Sequence, residues 1–358
     1  SYAGCGLPYY VGGLIETRDE LIVNTPQKYT ALTGARVLTG REAVGLNAAA
    51  KTVTAKHLTS GETETYEYDS LIIATGASSV IPPIEGAAQQ GVFKLRTPDD
   101  AIALRGYLEQ NAAKKAVVIG GGFIGLEAAE NLLAQGLGVT VIDVAGQIMP
   151  GVLDAEMADF ARKKLQAAGI RVMTGTAAQA ILGDGRVTAV KTEAGTLPAD
   201  VVVVSAGIRP NTAFLEGSGL EMVKGTIPVD GQLRTNLPNV YAAGKRYPGV
   251  LGTGVVKLPG LNCGRTGLTE TAARQAGYDV ATALMVSDDK AHYYPDSAWF
   301  ATKLIADKTT HKLLGVQVLG PGAVDKMVEI AVTGISMGAA LEDFDNLDLA
   351  YAPPFSTA

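Results

Sequence analysis

The 358-residue chain has two cysteines, three histidines and one tryptophan, and these shortages exclude whole classes of chemistry. Cys5 and Cys263 lie far apart, so no disulfide framework is available and a reducing, cytoplasmic setting is expected. His57, His292 and His311 lack the close spacing of metal ligands, so no metal site is expected. No apolar run approaches the roughly 18 residues that cross a bilayer. Nothing at the start reads as a secretory leader, and no membrane partner is expected. Lys and Arg total 30 against 36 Asp and Glu, a net charge of −6 with no basic cluster, so nucleic acid is not an expected partner. Glycine, by contrast, is abundant at 43 residues, and 47% of the chain is hydrophobic against 18% charged. That composition buries a large core and excludes global disorder, while the glycines imply many tight turns between strands and helices. The length suits two or three domains.

Residues 116–143, AVVIGGGFIGLEAAENLLAQGLGVTVID, form the best-defined unit. An apolar strand, Val117 to Ile119, runs into glycines. A helix follows with Ile124, Ala128, Leu132 and Leu133 on one face, then Gly136 and a second strand, Val139 to Ile142. This is a βαβ crossover with parallel strands. Gly120-Gly121-Gly122-Phe123-Ile124-Gly125 fits G-x-G-x-x-G at the strand–helix junction, where the mechanism needs it. Gly120 permits the turn, Gly122 lets a pyrophosphate approach the backbone, and Gly125 allows close helix–strand packing at a helix N-terminus that favours anions. Asp143 ends the next strand, where its carboxylate would hold a ribose 2′-hydroxyl and repel a 2′-phosphate, favouring NADH over NADPH.

A second helix is expected from Asp154, as N-cap, to Ala168, followed by strand Ile170–Met173. A hairpin at Gly183-Asp184-Gly185 and a valine strand, Val201 to Val204, covered on both faces, complete a doubly wound domain. On either side lie strands Leu71 to Ala74 and Val240 to Ala243, read as one discontinuous domain interrupted by the central one. Strands Trp299–Ala306 and Leu314–Leu319 with a helix from Ala323 to Met337 read as an α+β domain.

Cys5 stands in SYAGCGLPYY. A free cysteine is commonly a small buried hydrophobe, and Cys263, in LPGLNCGRTGLTE, reads as structural. Around Cys5 the glycines leave the sulfur little shielded, and Pro8 suits the first turn of a helix that would lower the thiol pKa. With no second cysteine near, Cys5 must form its disulfide with a substrate or cycle through a sulfenic acid.

The ordered set CGLPYY, ATG (Ala74, Thr75, Gly76), GGGFIGLE, GIRPN (Gly207 to Asn211), YAAG (ending at Gly244) and YAPPF resembles the flavin-dependent pyridine nucleotide–disulfide oxidoreductases. More narrowly it resembles their single-cysteine branch, which holds coenzyme A-disulfide reductases, NADH-dependent persulfide or polysulfide reductases, and NADH oxidases and peroxidases. The resemblance implies an α/β fold with two Rossmann-like doubly wound nucleotide-binding domains, the FAD one incomplete, plus a C-terminal α+β dimerisation domain. The segments would be 1–93 with 207–245 for FAD, 94–206 for NADH, and 246–358 for the interface. It implies a homodimer in which NADH reduces FAD and electrons pass to Cys5, which carries a mixed disulfide with coenzyme A or a persulfide. By the same resemblance Ser1 and Tyr9 would contact substrate, and Glu127 would lie where flavin meets nicotinamide. Tyr351 would reach a partner's cysteine. Ala74, Thr75, Gly76, Gly207 and Gly244 would border FAD, and Gly120, Gly122, Phe123, Ile124, Gly125 and Asp143 the NADH.

The pattern departs from the family at three places. The family's opening strand and its own glycine motif are absent, Lys245 stands where the family has an aspartate, and Lys245 adjoins Arg246 where the family inserts a loop and helix. Residues of the parent protein are therefore expected to be missing from the chain. Without the family's FAD-sheet strand, Leu71–Ala74 and Val240–Ala243 are expected to lack a neighbour. The expected activity is NADH-dependent reduction of coenzyme A disulfide, coenzyme A persulfide or polysulfide. The alternatives are an NADH oxidase or peroxidase and, from another class, a non-catalytic NAD-binding protein.

Overall fold

A run of four valines sets the middle of the fold. Branched at Cβ, Val201–Val204 is fully buried and pairs in parallel with Val92–Phe93 on one side and Lys115–Ile119 on the other. Gly138–Ile142 and Arg171–Met173 complete a five-stranded parallel sheet. The computed structural model describes residues 1–242, 250–290, 292, 295–345 and 347–349. Helices Pro98–Asn111, Phe123–Ala134 and Ala155–Ala167 flank the sheet. Val118, Val141 and Val203 meet Leu126, Leu132 and Met157 on one face. On the other, Val117, Ile142 and Val202 pack against an antiparallel sheet of Ala178–Gly183, Val187–Thr192 and Gly195–Pro198, whose first turn is the expected hairpin.

The helix expected from Asp154 runs over Ala155–Ala167, with Asp154 in the N-cap conformation. Its carboxylate does not cap the helix, however. It accepts instead from the Glu270 backbone N–H (3.1 Å) and the Gln317 side chain (2.6 Å), both from the last third of the chain.

The strands expected to lack a neighbour have one: Leu71–Ile73 and Val240–Ala242 pair in parallel with each other. Ile73 and Val240 sit on a core with Leu215, Ile227 and Val229, while Ile72 is 72% exposed. Among the described residues no third strand joins them. A three-stranded antiparallel sheet, Arg41–Asn47, Thr52–His57 and Thr63–Glu67, stands alongside. The short antiparallel pair Ala77–Ser79 with Ile208–Pro210 marks where the chain enters and leaves the central unit.

The last third is a five-stranded antiparallel sheet in the order Gly254–Leu258, Leu261–Gly267, Leu313–Gly320, Trp299–Asp307, Val280–Asp288. Helix Val324–Met337 covers one face through Val324, Val328 and Ala331. Through the other, Val256, Leu258, Cys263 and Leu319 merge with the core of the parallel-sheet unit. Cys263 is therefore buried, and burial pushes its thiol up to about 12, the inert state expected of a structural cysteine. Among the described residues no helix is long and apolar enough to cross a membrane, and no cluster of His, Cys, Asp and Glu could hold a metal. The Lys245–Arg246 junction, Gly244 and Tyr351 lie outside the described residues.

Candidate active site

The strand Lys115–Ile119 ends at Gly120, whose φ of +114° disfavours any side chain, and a Cβ there would strike the Ser205 carbonyl. A Cβ at Gly125 would strike the Gly120 carbonyl, so its absence lets the helix lie close against the turn. At Gly122, the N-cap, a Cβ would meet no atom within 4 Å, and no side chain caps the helix. The first-turn N–H groups of Phe123–Ala134 are thus left for an anion, with open backbone in front of them. A cavity of about 500 Å³ lies there, lined by Gly120, Gly122, Phe123, Asp143, Pro150 and Ser205 among others. The Asp143 carboxylate, half-buried at the rim, accepts from the N–H groups of Gly121 (2.6 Å) and Ala145 (2.7 Å). Ile124 is exposed and does not line the cavity. These residues fit a dinucleotide.

A second cavity, of about 570 Å³, is lined by Ala74, Thr75 and Gly76 together with Arg96 and Lys224. Asn211 of the GIRPN segment holds this turn in shape. Its backbone N–H donates to the Gly76 carbonyl (3.0 Å) and its side-chain amide to the Thr75 carbonyl (3.0 Å), while its Oδ1 accepts from Ser78 (2.7 Å). Gly207, at φ +110°, accepts from the Val80 N–H (2.9 Å). A Cβ at Gly76 would project into open space, and the two cations suit a diphosphate. The residues present fit one wall of an FAD site.

Cys5 is exposed, in a 3₁₀ turn (Gly4–Gly6) that leads straight into the short helix Leu7–Val11, with Pro8 in its first turn. Leu7, Tyr10 and Val11 bury themselves in the core shared with the glycine-motif helix. Gly12 passes so close to Asn131 that any side chain would collide with the Asn131 amide, and Gln135 donates to the Gly12 carbonyl (2.6 Å). Helix packing thus brings the thiol segment against the body of the helix whose N-terminus faces the dinucleotide cavity.

The polar groups at this junction act on one another. Burial, and then the neighbouring Glu130 charge, push the Glu127 carboxyl up to about 7. Glu130 is itself buried; its Oε1 accepts from Lys257 (2.9 Å) on strand Gly254–Leu258, while its Oε2 has no hydrogen-bond partner. Tyr9, half-buried, has its phenol pKa raised by burial and then by Glu127 and Glu130, with Lys257 opposing and Cys5 adding a smaller push. Cys5 and Glu127 therefore both lie within electrostatic reach of Tyr9. The Ser1 hydroxyl accepts from the Asn24 side-chain amide (3.3 Å). Sequence reading missed Glu130 and Lys257. The three-residue spacing from Glu127 signals Glu130 on the same helix face, but nothing local announces Lys257.

A dinucleotide crevice at one end of a helix, and an exposed thiol just before a short helix packed against its body, define a nucleotide-dependent oxidoreductase. The chain matches the family described as pyridine nucleotide-disulphide oxidoreductase over residues 1–276, and that family's dimerisation domain over residues 255–358. It belongs to that family. It is 33% identical to the NAD(P)H coenzyme A polysulfide/persulfide reductase of Pyrococcus horikoshii, covering 99% of this chain and 87% of that protein. It is 31% identical to an NADH oxidase of Methanocaldococcus jannaschii, over 99% of this chain and 87% of that protein. The solved structure of an NAD-dependent persulfide reductase from A. fulgidus is similar to it with a TM-score of 0.94 at 35% identity, covering 100% of this chain and 74% of that one.

Proposed function

We propose that the protein is an FAD-dependent NADH:disulfide oxidoreductase that reduces coenzyme A disulfide, coenzyme A persulfide or polysulfide through Cys5. The observation that carries this is the exposed Cys5 thiol, coupled through Tyr9 to the proton-holding Glu127 on the dinucleotide helix. The chemistry balances as NADH, one proton and R–S–S–R giving NAD⁺ and two R–SH. The Cys5 thiolate attacks one sulfur, the S–S bond breaks, and the first thiolate leaves. Two electrons originating from NADH then split the Cys5 mixed disulfide and restore the thiolate. FAD, bordered by Ala74–Gly76, Gly207 and Gly244, supplies the two-electron relay between nicotinamide and sulfur when bound.

Each side chain has a task within this scheme. The backbone of Gly120 and Gly122 in the loop and of Phe123, Ile124 and Gly125 in the first turn of helix Phe123–Ala134 receives the pyrophosphate, and Asp143 takes the ribose hydroxyls, favouring NADH. Glu127, with a pKa near neutrality, holds an exchangeable proton close to the reacting groups. The Tyr9 phenol stays protonated at pH 7 and donates toward a departing thiolate. Ser1 contacts the coenzyme A end of the substrate, and Tyr351 of a second copy completes the site, so the enzyme works as a homodimer in the cytoplasm. The segment assignments are 1–93 with 207–245 for FAD, 94–206 for NADH and 246–358 for the interface. An NADH oxidase or peroxidase is the second reading, favoured by the 31% identity to the Methanocaldococcus jannaschii NADH oxidase.

Measuring NADH consumption with coenzyme A disulfide, polysulfide, peroxide and O₂ in parallel separates the two. In the FAD-loaded enzyme, Cys5→Ser is expected to lower the sulfur-dependent rate by roughly a thousandfold or more while NADH still bleaches the yellow colour. An undiminished sulfur-dependent rate in that variant would remove Cys5 from the mechanism, and a preference for O₂ or peroxide would select the second reading.

A further inference from the structure

One wall of the dinucleotide cavity is gripped from the antiparallel sheet of the last third. Lys303, in the middle of strand Trp299–Asp307, is 2% exposed, and a buried ammonium needs compensation. It donates to Asp154 Oδ2 (3.1 Å), to Glu270 Oε2 (2.9 Å) and to Glu156. Burial alone would depress the Lys303 pKa. The bonds to Glu156, Glu270 and Asp154 outweigh it, so the side chain stays charged, and Arg265 adds a positive field at Asp154. Gln317, the cross-strand partner of Lys303, is 1% exposed. It makes a reciprocal pair with Asp154, accepting from its backbone N–H (2.8 Å) and donating to its carboxylate (2.6 Å).

So many buried polar groups converge on a single residue, and Asp154 ends the segment that began at Asp143. From it a hydrogen-bonded path leads back to the glycine loop. The Leu153 N–H donates to the Met149 carbonyl (3.2 Å), and the Met149 N–H donates to the carbonyl of Gly121, the middle glycine (2.8 Å). Met149, Pro150 and Val152 line the cavity. Met149 holds a left-handed φ of +47°, which a side-chain-bearing residue keeps only when its surroundings fix it.

We propose that Lys303 and Gln317 are positioning residues for the dinucleotide: from the interface sheet they clamp Asp154, and through residues 149–153 they fix the glycine loop. The inference rests on the NADH reading of that cavity and makes NADH affinity a joint property of two units. By linkage, NADH must tighten the clamp as much as the clamp tightens NADH.

The test uses the FAD-loaded enzyme, reduced anaerobically beforehand so that added NADH binds without being oxidised, and direct NADH titration by fluorescence, beside steady-state kinetics. Lys303→Met and, as the milder change, Gln317→Met are expected to raise the NADH dissociation constant and KM about tenfold, leaving kcat at saturating NADH within about twofold. Lys303→Arg should recover most of the affinity. Unchanged NADH affinity in folded Gln317→Met, or a fall in kcat with KM unaltered, would overturn the proposal. The wild type supplies a test that needs no variant: NADH should slow amide exchange across Trp299–Asp307 and Leu313–Gly320, and exchange there unaffected by bound NADH argues against the clamp. A wild type that does not bind NADH would instead defeat the functional reading beneath it.

Discussion

Glu127 shows how one residue ties function to pH. Its carboxyl has an ordinary value of 4.5, pushed up to about 7 by burial and then by Glu130, with Tyr9, Lys257 and Cys5 the other ionisable groups of the cluster. Below pH 4.5 the group is protonated whether the chain is folded or not, so it costs nothing. Between pH 4.5 and about 7 the unfolded chain releases the proton and the folded one keeps it, so stability falls as pH rises. Above 7 the full cost is present, roughly 3 kcal/mol at most. Glu127→Gln removes that ionisation. The variant should exceed the wild type in urea-unfolding stability at pH 8, and the gain should shrink toward zero at pH 5. An offset of equal size at both pH values would mean that Glu127 does not carry the proton. The same substitution should flatten any inflection near pH 7 in the pH dependence of kcat.

The glycine-motif helix separates two functions that neighbouring glycines perform. Gly120 serves the backbone, with φ at +114° and the Ser205 carbonyl where a Cβ would lie, whereas Gly122 faces open space. Gly120→Ala should therefore cost roughly 2–4 kcal/mol of stability. Gly122→Ala should stay within about 1 kcal/mol of the wild type yet weaken NADH at least about tenfold, because its methyl occupies the pyrophosphate's approach. Denaturant unfolding beside NADH titration resolves the two effects; a Gly122→Ala enzyme that binds NADH normally would move the pyrophosphate elsewhere. This helix was the most legible element, since strand, glycines and a 3.6-residue apolar rhythm announce it within one short stretch. Less of the rest was legible. Val280–Asp288 is exposed over nearly its whole length, so it lacks the apolar alternation that marks a strand, and Val92–Phe93 is too short to show a period. The mutual pairing of Leu71–Ile73 with Val240–Ala242 joins segments far apart in sequence, and no local signal sets such a register. Asp154 was legible as a helix start but not as the centre of a buried ion cluster, because Lys303 and Gln317 reach it across some 150 to 160 intervening positions. The thiol site followed the same rule: Cys5 and Tyr9 were readable within CGLPYY, and Lys257 was not.

At the scale of the molecule, one group of large apolar side chains left facing solvent lies in the last third, where the dimerisation-domain match falls. Leu284, Met285 and Val286 stand exposed on the edge strand Val280–Asp288, and Met337 is 81% exposed beside a groove of about 470 Å³ lined by Ile330, Gly334, Phe344 and Leu349. Surfaces of this kind on a folded chain are sites of association. The same sheet carries Lys303, Gln317 and Lys257, so a partner that stiffens it acts on both the dinucleotide loop and the Glu127 cluster. Met337→Asp tests this directly, because so exposed a position tolerates a carboxylate in the folded monomer but not inside an interface. It should raise the dimer dissociation constant at least about tenfold by sedimentation velocity, with far-ultraviolet dichroism unchanged. Activity should fall with dilution in step with the loss of dimer, since one copy's Tyr351 is proposed to serve the other's Cys5. A variant that sediments as the wild type does would take Met337 out of the interface. Full activity in a demonstrated monomer would show that a single chain holds everything the reaction requires.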